Sequence, residues 1–287
     1  MSEETTVRPL VDWHSHVWLP EHLGPEWGPE LDSHYTHVPS HHGTPAEHRA
    51  AMDRSGVTHS VVLALRSRHL SLDVPNEFVA EYVATDPGRL VGIASVDPND
   101  ADAPARLRYA VGDLGLRGVK LAPPYQDFHP HSDEAYAVYR AADECGAVLI
   151  FHQGAVSHRR GVLDHAQPVL LDRVARDFPE LRIIVAHMGQ PWPHEVVPLL
   201  RKHPNMYADL SARCTRPYQL KGILLAALDY GVQHKLLFGS DFPTFDPGEH
   251  ARALLSVNEG ADGREVPADV LDAIVHSRPL SLLGLGA

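Results

Sequence analysis

Ala147-Val148-Leu149-Ile150-Phe151-His152 is five apolar residues in a row followed by a histidine. A strand with one wet face alternates apolar and polar residues. A continuous apolar run of this length suits a parallel strand buried on both faces. Arg182-Ile183-Ile184-Val185-Ala186-His187 repeats the pattern and again ends in histidine. Working outward, six further strands are expected at 11–16, 60–65, 90–96, 118–122, 206–210 and 235–239. The starts from 11 to 235 span seven intervals with a mean of 32 residues, the size of one strand-helix unit. The intervening segments carry helix signals. Thr44-Pro45-Ala46-Glu47 is a capping box with proline at the first helical position, and Gly56 is the stop. Helices are also expected at 76–85, 103–113, 133–144, 168–178, 193–202, 217–230 and 248–258, with terminal helices at 267–276 and 279–285. Eight strands alternating with eight helices predict an α/β fold, a distorted (β/α)8 or TIM barrel, in one domain spanning 1–287. A doubly wound open sheet gives the same alternation, but no G-x-G-x-x-G follows any strand.

Composition narrows the function. The chain has 287 residues, 44% hydrophobic and 22% charged, which excludes global disorder. Its 25 basic and 37 acidic residues leave a net charge of −12, which repels nucleic acid and anionic membranes. Cys145 and Cys214 are too few and too far apart for a disulfide scaffold or a thiolate zinc cluster. The start has acidic residues and no long apolar run, so a cytoplasmic protein without a secretory signal or membrane span is expected. Residues 17–43 form a long connection with Trp18, Trp27, four prolines and five histidines, the kind of loop that covers a site.

The 21 histidines matter by position. Barrel active sites sit where the strands end. The first strand ends in His14-Ser15-His16, the second near Arg66 and Arg68, the fifth in His152 and the sixth in His187. The fourth carries Lys120, the seventh offers Asp209 and Ser211, and the eighth is followed by Gly239-Ser240-Asp241. His14 and His16, one residue apart on a strand, face the same way. With His152 and Asp241 they make a three-nitrogen, one-oxygen shell suited to Zn²⁺, with Mn²⁺ as the alternative. His187 is a ligand, a general base or a wall residue. His158 and His165, in loops, read as solvated.

The motifs Asp12-Trp13-His14-Ser15-His16, Gly118-Val119-Lys120-Leu121, Ile150-Phe151-His152, Ala186-His187-Met188-Gly189 and Phe238-Gly239-Ser240-Asp241-Phe242-Pro243 resemble the amidohydrolase superfamily. The similarity is to its branch around aminocarboxymuconate-semialdehyde decarboxylase. The resemblance implies one divalent metal on His14, His16, His152 and Asp241, His187 as acid/base, and a homodimer. It implies decarboxylation of a small carboxylated unsaturated or aromatic acid, with Arg66, Arg68, Lys120 and Trp18 holding the substrate and His187 and Asp241 moving protons. The alternatives are a metal-dependent hydrolase of an amide, ester or lactone, and a metal-free lactonase or binding module. Whether Lys120 bridges metals as a carboxylated lysine, as in other branches, stays open.

Overall fold

The structure, a computed structural model, describes residues 9–25, 27, 43–259 and 263–276. Its strands are β1 (Val11–His16), β2 (His59–Leu63), β3 (Leu65–Ser67), β4 (Leu72–Val74), β5 (Leu90–Ser95), β6 (Gly118–Leu121), β7 (Val148–Phe151), β8 (Ile183–Val185), β9 (Met206–Asp209) and β10 (Leu236–Leu237). Eight of them form one parallel sheet in the order β1-β2-β5-β6-β7-β8-β9-β10. The two ends of that sheet meet. Trp13 N–H donates to Phe238 O (2.9 Å), Asp241 N–H to His14 O (2.8 Å) and His16 N–H to Phe242 O (2.7 Å), with a parallel bridge between Ser15 and Phe242. The ring is therefore the barrel, and the open doubly wound sheet is excluded.

The helices are α1 (Pro45–Ser55), α2 (Asn76–Ala84), α3 (Ala103–Gly112), α4 (Pro123–Gln126), α5 (Asp133–Glu144), α6 (Leu171–Asp177), α7 (Pro193–Lys202), α8 (Pro217–Asp229), α9 (Pro247–Leu255) and α10 (Ala268–His276). The capping box of α1 forms as read: Glu47 N–H donates to Thr44 Oγ1, Thr44 N–H donates back to Glu47, and Gly56 closes the helix with φ 70°. The expected helix at 168–178 opens as a 3₁₀ turn, Pro168–Leu170, before α6. The β3–β4 hairpin was not expected. It pairs Leu65 with Val74 and Ser67 with Leu72 just beyond β2. The helix expected at 279–285 lies outside the described residues.

Buried apolar residues fall into two groups, as a barrel requires. One packs between sheet and helices. The other fills the barrel interior with Val11, Trp13, Val61, Leu63, Val91, Ile93, Val148, Ile150, Ile184 and Leu237. Along a strand every second residue points inward, so that inner set fixes which later positions face the barrel mouth.

Candidate active site

Counting by twos from the inner apolar set, Ile150 leads to His152 and Leu237 leads through Gly239 to Asp241. Tyr207, packed against the same set, leads to Asp209. Gly239 leaves space that a side chain would fill, because a Cβ there would stand 3.0 Å from His14 Cβ and 3.1 Å from Ser211 Cβ.

The first strand breaks this rule productively. Val11 and Trp13 face inward, so regular alternation would turn His14 and His16 toward the helices. The register with β2 steps from Asp12↔Ser60 to Ser15↔Val62, three residues against two. This is a β-bulge, which puts Trp13 and His14 on the same side and turns His14 and His16 inward together. Beyond the bulge, Ser15 Oγ donates to Val61 O (3.0 Å) and lies 2.9 Å from Ser60 Oγ. The bulge's other side is tied by Asp12, whose carboxylate accepts from Ser240 N–H (2.8 Å), Ser240 Oγ (2.6 Å) and His14 N–H (3.2 Å). Burial nevertheless pushes the Asp12 carboxyl up to about 6.

His187 reaches the mouth by a different device. Its backbone is left-handed (φ 55°, ψ 25°), as is that of Met188, and Asp241 shares this feature at φ 68°. Non-glycine residues hold such conformations when the surroundings fix them, at about 1–3 kcal/mol each. The clamp on His187 is Asp209, whose Oδ1 accepts from His187 N–H (3.0 Å) and Ser211 N–H (3.1 Å).

The hydrogen bonds assign the imidazole nitrogens. His14 Nδ1–H donates to Asp209 Oδ2 (2.9 Å), leaving the Nε2 lone pair toward Asp241 Oδ1 at 3.5 Å. His16 Nδ1–H donates to Leu63 O (3.0 Å), leaving Nε2 3.8 Å from the same oxygen. The Ser211 hydroxyl donates to Asp209 and accepts from His187 Nδ1–H (2.8 Å), so His187 Nε2 holds that ring's lone pair. Lys120 Nζ donates to His14 Nε2 (3.1 Å). Burial holds His16 and His152 at about 3 and keeps His14 and His187 well below the ordinary histidine value, with Lys120's charge adding to the effect. Burial also lifts Asp241 to about 7 against Lys120, and lowers Lys120 to about 8 against Asp209 and Asp241.

These are neutral imidazoles around a carboxylate that burial makes reluctant to ionise, an environment that a divalent cation would balance. Among the described residues, His14, His16 and Asp241 bring donors within 4.8 Å of one another, and so do His14, His187 and Asp209. A tetrahedral ion with bonds of about 2.0–2.1 Å needs donors about 3.3 Å apart, close to the first set's spacing. The donors of His14 and His16 are oriented through their other nitrogens, as metal-binding histidines commonly are. The donor set therefore fits a divalent metal. His152 belongs to neither tight set. Its ring stands 4.8 Å from that of His187, and Nε2 lies 3.4 Å from Ala155 O.

Above this polar floor rises a cavity whose floor includes His16, Lys120, His152, His187 and Asp241. Its walls include Trp18, Leu23, Trp27 and Tyr125, with Leu65, Leu72 and Val74 from the unexpected hairpin. Trp18 is thus one of the cavity's wall residues. Arg66 and Arg68 do not line this cavity. Arg66 is bound by Asp100 (2.9 Å) and Asp73 (2.6 Å), and Arg68 reaches Asp100 (3.3 Å) and Asn99 O (2.9 Å). His158, expected in solvent, is buried with its ring stacked 5.5 Å from that of Trp27. His165 is half-buried beside Asp127 at 3.4 Å. Sequence reading passed over the part played by Asp209. Its inward position at a strand end was the available signal, and its grip on two histidines was not visible there.

The chain belongs to the amidohydrolase family, whose model matches residues 11–285. No curated protein matches the sequence. Solved structures share the fold at low identity. An uncharacterized TIM-barrel protein from Bordetella bronchiseptica is 19% identical with a TM-score of 0.74, covering 96% of this chain and 100% of that one. A 5-carboxyvanillate decarboxylase from Novosphingobium aromaticivorans, with bound manganese and 3-methoxy-4-hydroxy-5-nitrobenzoic acid, is 15% identical with a TM-score of 0.72 and covers 99% of each chain. A probable 2-pyrone-4,6-dicarboxylic acid hydrolase from Acinetobacter baumannii with citric acid bound is 17% identical with a TM-score of 0.70, covering 96% and 99%.

Proposed function

We propose that this protein is a metal-dependent carboxy-lyase acting on a small aromatic or unsaturated carboxylic acid. The observation that carries the reading is an inward ring of His14, His16, His187, Asp209 and Asp241 beneath a cavity walled by Trp18, Trp27 and Tyr125. The decarboxylase from N. aromaticivorans supports it as a member of the same fold that binds an aromatic acid.

His14, His16 and Asp241 would hold the ion, with His152 completing the shell after a small movement. Zn²⁺ suits the imidazole-rich set, and Mn²⁺ is the alternative, as in the similar decarboxylase. When bound, a divalent ion supplies Lewis acidity and a template for the substrate's oxygens. The aromatic walls stack the ring and exclude water. Lys120, a cavity cation, faces the carboxylate to be lost. Breaking the bond to that carboxylate releases CO2 and leaves the electron pair on carbon, which then takes a proton. His187, its Nδ1–H fixed on Ser211, offers Nε2 to carry that proton, and Asp241 shares it. Of the segment expected to cover the site, Trp18, Leu23 and Trp27 wall the cavity, and residues 28–42 lie outside the described residues.

Hydrolysis of a lactone, ester or amide is the second reading, favoured by the same lone-pair nitrogen of His187 beside the donor set. The test is metal content per chain, followed by assays of CO2 release from hydroxybenzoates and muconate-type acids and of ring opening of lactones. About one metal and CO2 release support the first reading. Ring opening without CO2 release overturns it in favour of the second, and absence of metal after incubation with zinc and manganese overturns both metal readings.

A further inference from the structure

The β3–β4 hairpin gives the cavity a wall of one chemical character. Side chains alternate along its two short strands. Arg66 and Asp73 stand opposite each other and pair at 2.6 Å, whereas Leu65, Leu72 and Val74 line the cavity. Leu72 and Val74 are each 2% exposed. Ser67, the polar residue opposite Leu72, has its hydroxyl engaged, donating to Tyr125 O (2.7 Å) and accepting from Leu70 N–H (3.0 Å). The Pro20–Leu23 turn continues this wall. It runs so close to the hairpin that a Cβ on Gly24 would collide with Ser71 O, and it brings Leu23 to the same cavity. Ser157 and Thr244 also line the cavity, from the loops after β7 and β10. Among the described residues that line it, charge is confined to the floor, where Lys120 and Asp241 stand.

A substrate whose departing carboxylate sits on that floor directs its far ring edge at the walls. A charge on that edge would be stripped of water against aliphatic side chains with no counter-ion beside it. A hydroxyl facing them would give up its partners in water and gain none. An alkyl group leaves water for apolar surface and gains from the move.

We infer that the hairpin makes the site selective for an aromatic monoacid carrying an alkyl group on the ring edge remote from the departing carboxylate. Leu72 and Val74 are thus specificity-determining residues. The alkyl-bearing class deepens the carboxy-lyase reading, on which it rests.

The experiment is calorimetric titration of metal-loaded enzyme with salicylates that carry a methyl, a hydroxyl or a second carboxylate, meta or para to the first carboxylate. CO2 release from each is assayed alongside. The three groups are compared at one ring position, so the comparison reads the wall while the floor contacts stay the same. At one or both positions methyl is expected to bind about 10–100-fold more tightly than hydroxyl, the range over which an apolar pocket discriminates. The second carboxylate should bind most weakly. Leu72→Asn, close to leucine in shape, should abolish the preference for methyl over hydroxyl, and Val74→Thr, which exchanges one methyl for a hydroxyl, should reduce it. A folded Leu72→Asn that keeps the full preference overturns the assignment. If that variant does not fold, Val74→Thr with an undiminished preference overturns it instead. A wild type that releases CO2 without preferring methyl overturns the assignment and leaves the carboxy-lyase reading standing. A methyl preference that depends on the hairpin, without CO2 release, keeps the assignment and removes that reading. Binding with neither preference nor CO2 release overturns both, as does binding of none of the acids.

Discussion

Asp209 and His14 form a buried carboxylate–imidazole pair, Oδ2 to Nδ1 at 2.9 Å, with neither side chain exposed to solvent. The same carboxylate's other oxygen fixes the left-handed turn at His187 and the hydroxyl of Ser211. One side chain thereby sets the tautomer of the innermost donor and the pose of the acid/base. Asp209→Asn should undo both. An amide NH2 facing His14 Nδ1 favours the tautomer with the proton on Nε2, where the metal would bind. We expect metal affinity to fall by about 10–100-fold. Competition with a chromogenic chelator measures it, and an unchanged affinity would show that Asp209 has no hold on the donor.

His14→Ala, His16→Ala and Asp241→Ala should each lose metal and turnover together. His152→Ala is the informative case, because its nitrogens stand apart from both tight donor sets. If His152 completes the shell, this variant loses metal as the others do. Full metal occupancy with activity gone would instead assign it to substrate contact. Metal per chain after dialysis decides.

His187→Gln should retain metal and lose turnover. The proposed role is a positioned proton carrier, and such groups contribute about 10²–10⁴-fold. Steady-state kinetics on metal-quantified protein gives the number, and a kcat within twofold of wild type would remove His187 from the chemistry.

The metal-free protein should weaken in acid. Burial holds His48 at about 3 and His250 at about 4, below the ordinary value near 6.5. Their folded values lie below their unfolded ones, so the unfolded chain binds these protons first. The stabilisation is full above about pH 6.5 and is lost as pH falls toward 4 and 3. Urea midpoints of metal-free protein should therefore drop steadily from pH 7 to 5, and His250→Leu should flatten part of that slope. A midpoint independent of pH would contradict the burial argument.

His48 also anchors a chain of one consistent direction. Tyr82 O–H donates to His48 Nδ1 (2.8 Å), His48 Nε2–H to Ser60 Oγ (3.2 Å), Ser60 to Ser15 (2.9 Å), and Ser15 to Val61 O (3.0 Å). His48→Ala should leave buried hydroxyls short of a partner and cost about 1–3 kcal/mol. Because the chain ends beside His14 and His16, metal affinity should fall as well. Parallel denaturation and metal titrations test this, and a loss of stability with full metal affinity would confine His48 to the fold.

The barrel was legible because buried parallel strands write themselves as apolar runs, and alternation carries Ile150 to His152 and Leu237 to Asp241. Where backbone irregularity places a residue, the sequence was silent. His14 and His16 read as a same-facing pair, but which way they face depends on a bulge that residue types do not announce. His187 sits out of phase with Ile184 and enters the site through a left-handed turn held by Asp209, a contact 22 residues away. Arg66 and Arg68 looked like substrate cations because they follow a strand. Their commitment to Asp73 and Asp100 depends on the hairpin and the loop after β5, which bring distant acids to them.

The extra residue in β1 also bears on how such a barrel can be altered. Straightening β1 with every residue kept, so that it pairs one-for-one with β2 from Val11 onward, would rotate His14 and His16 out of the interior. The product would be a tidier sheet with no place for an ion. A redesign that rewards ideal strand geometry at fixed length would therefore select an inert version of this molecule, whereas a chain that lost the bulge together with Trp13 would keep both histidines facing inward.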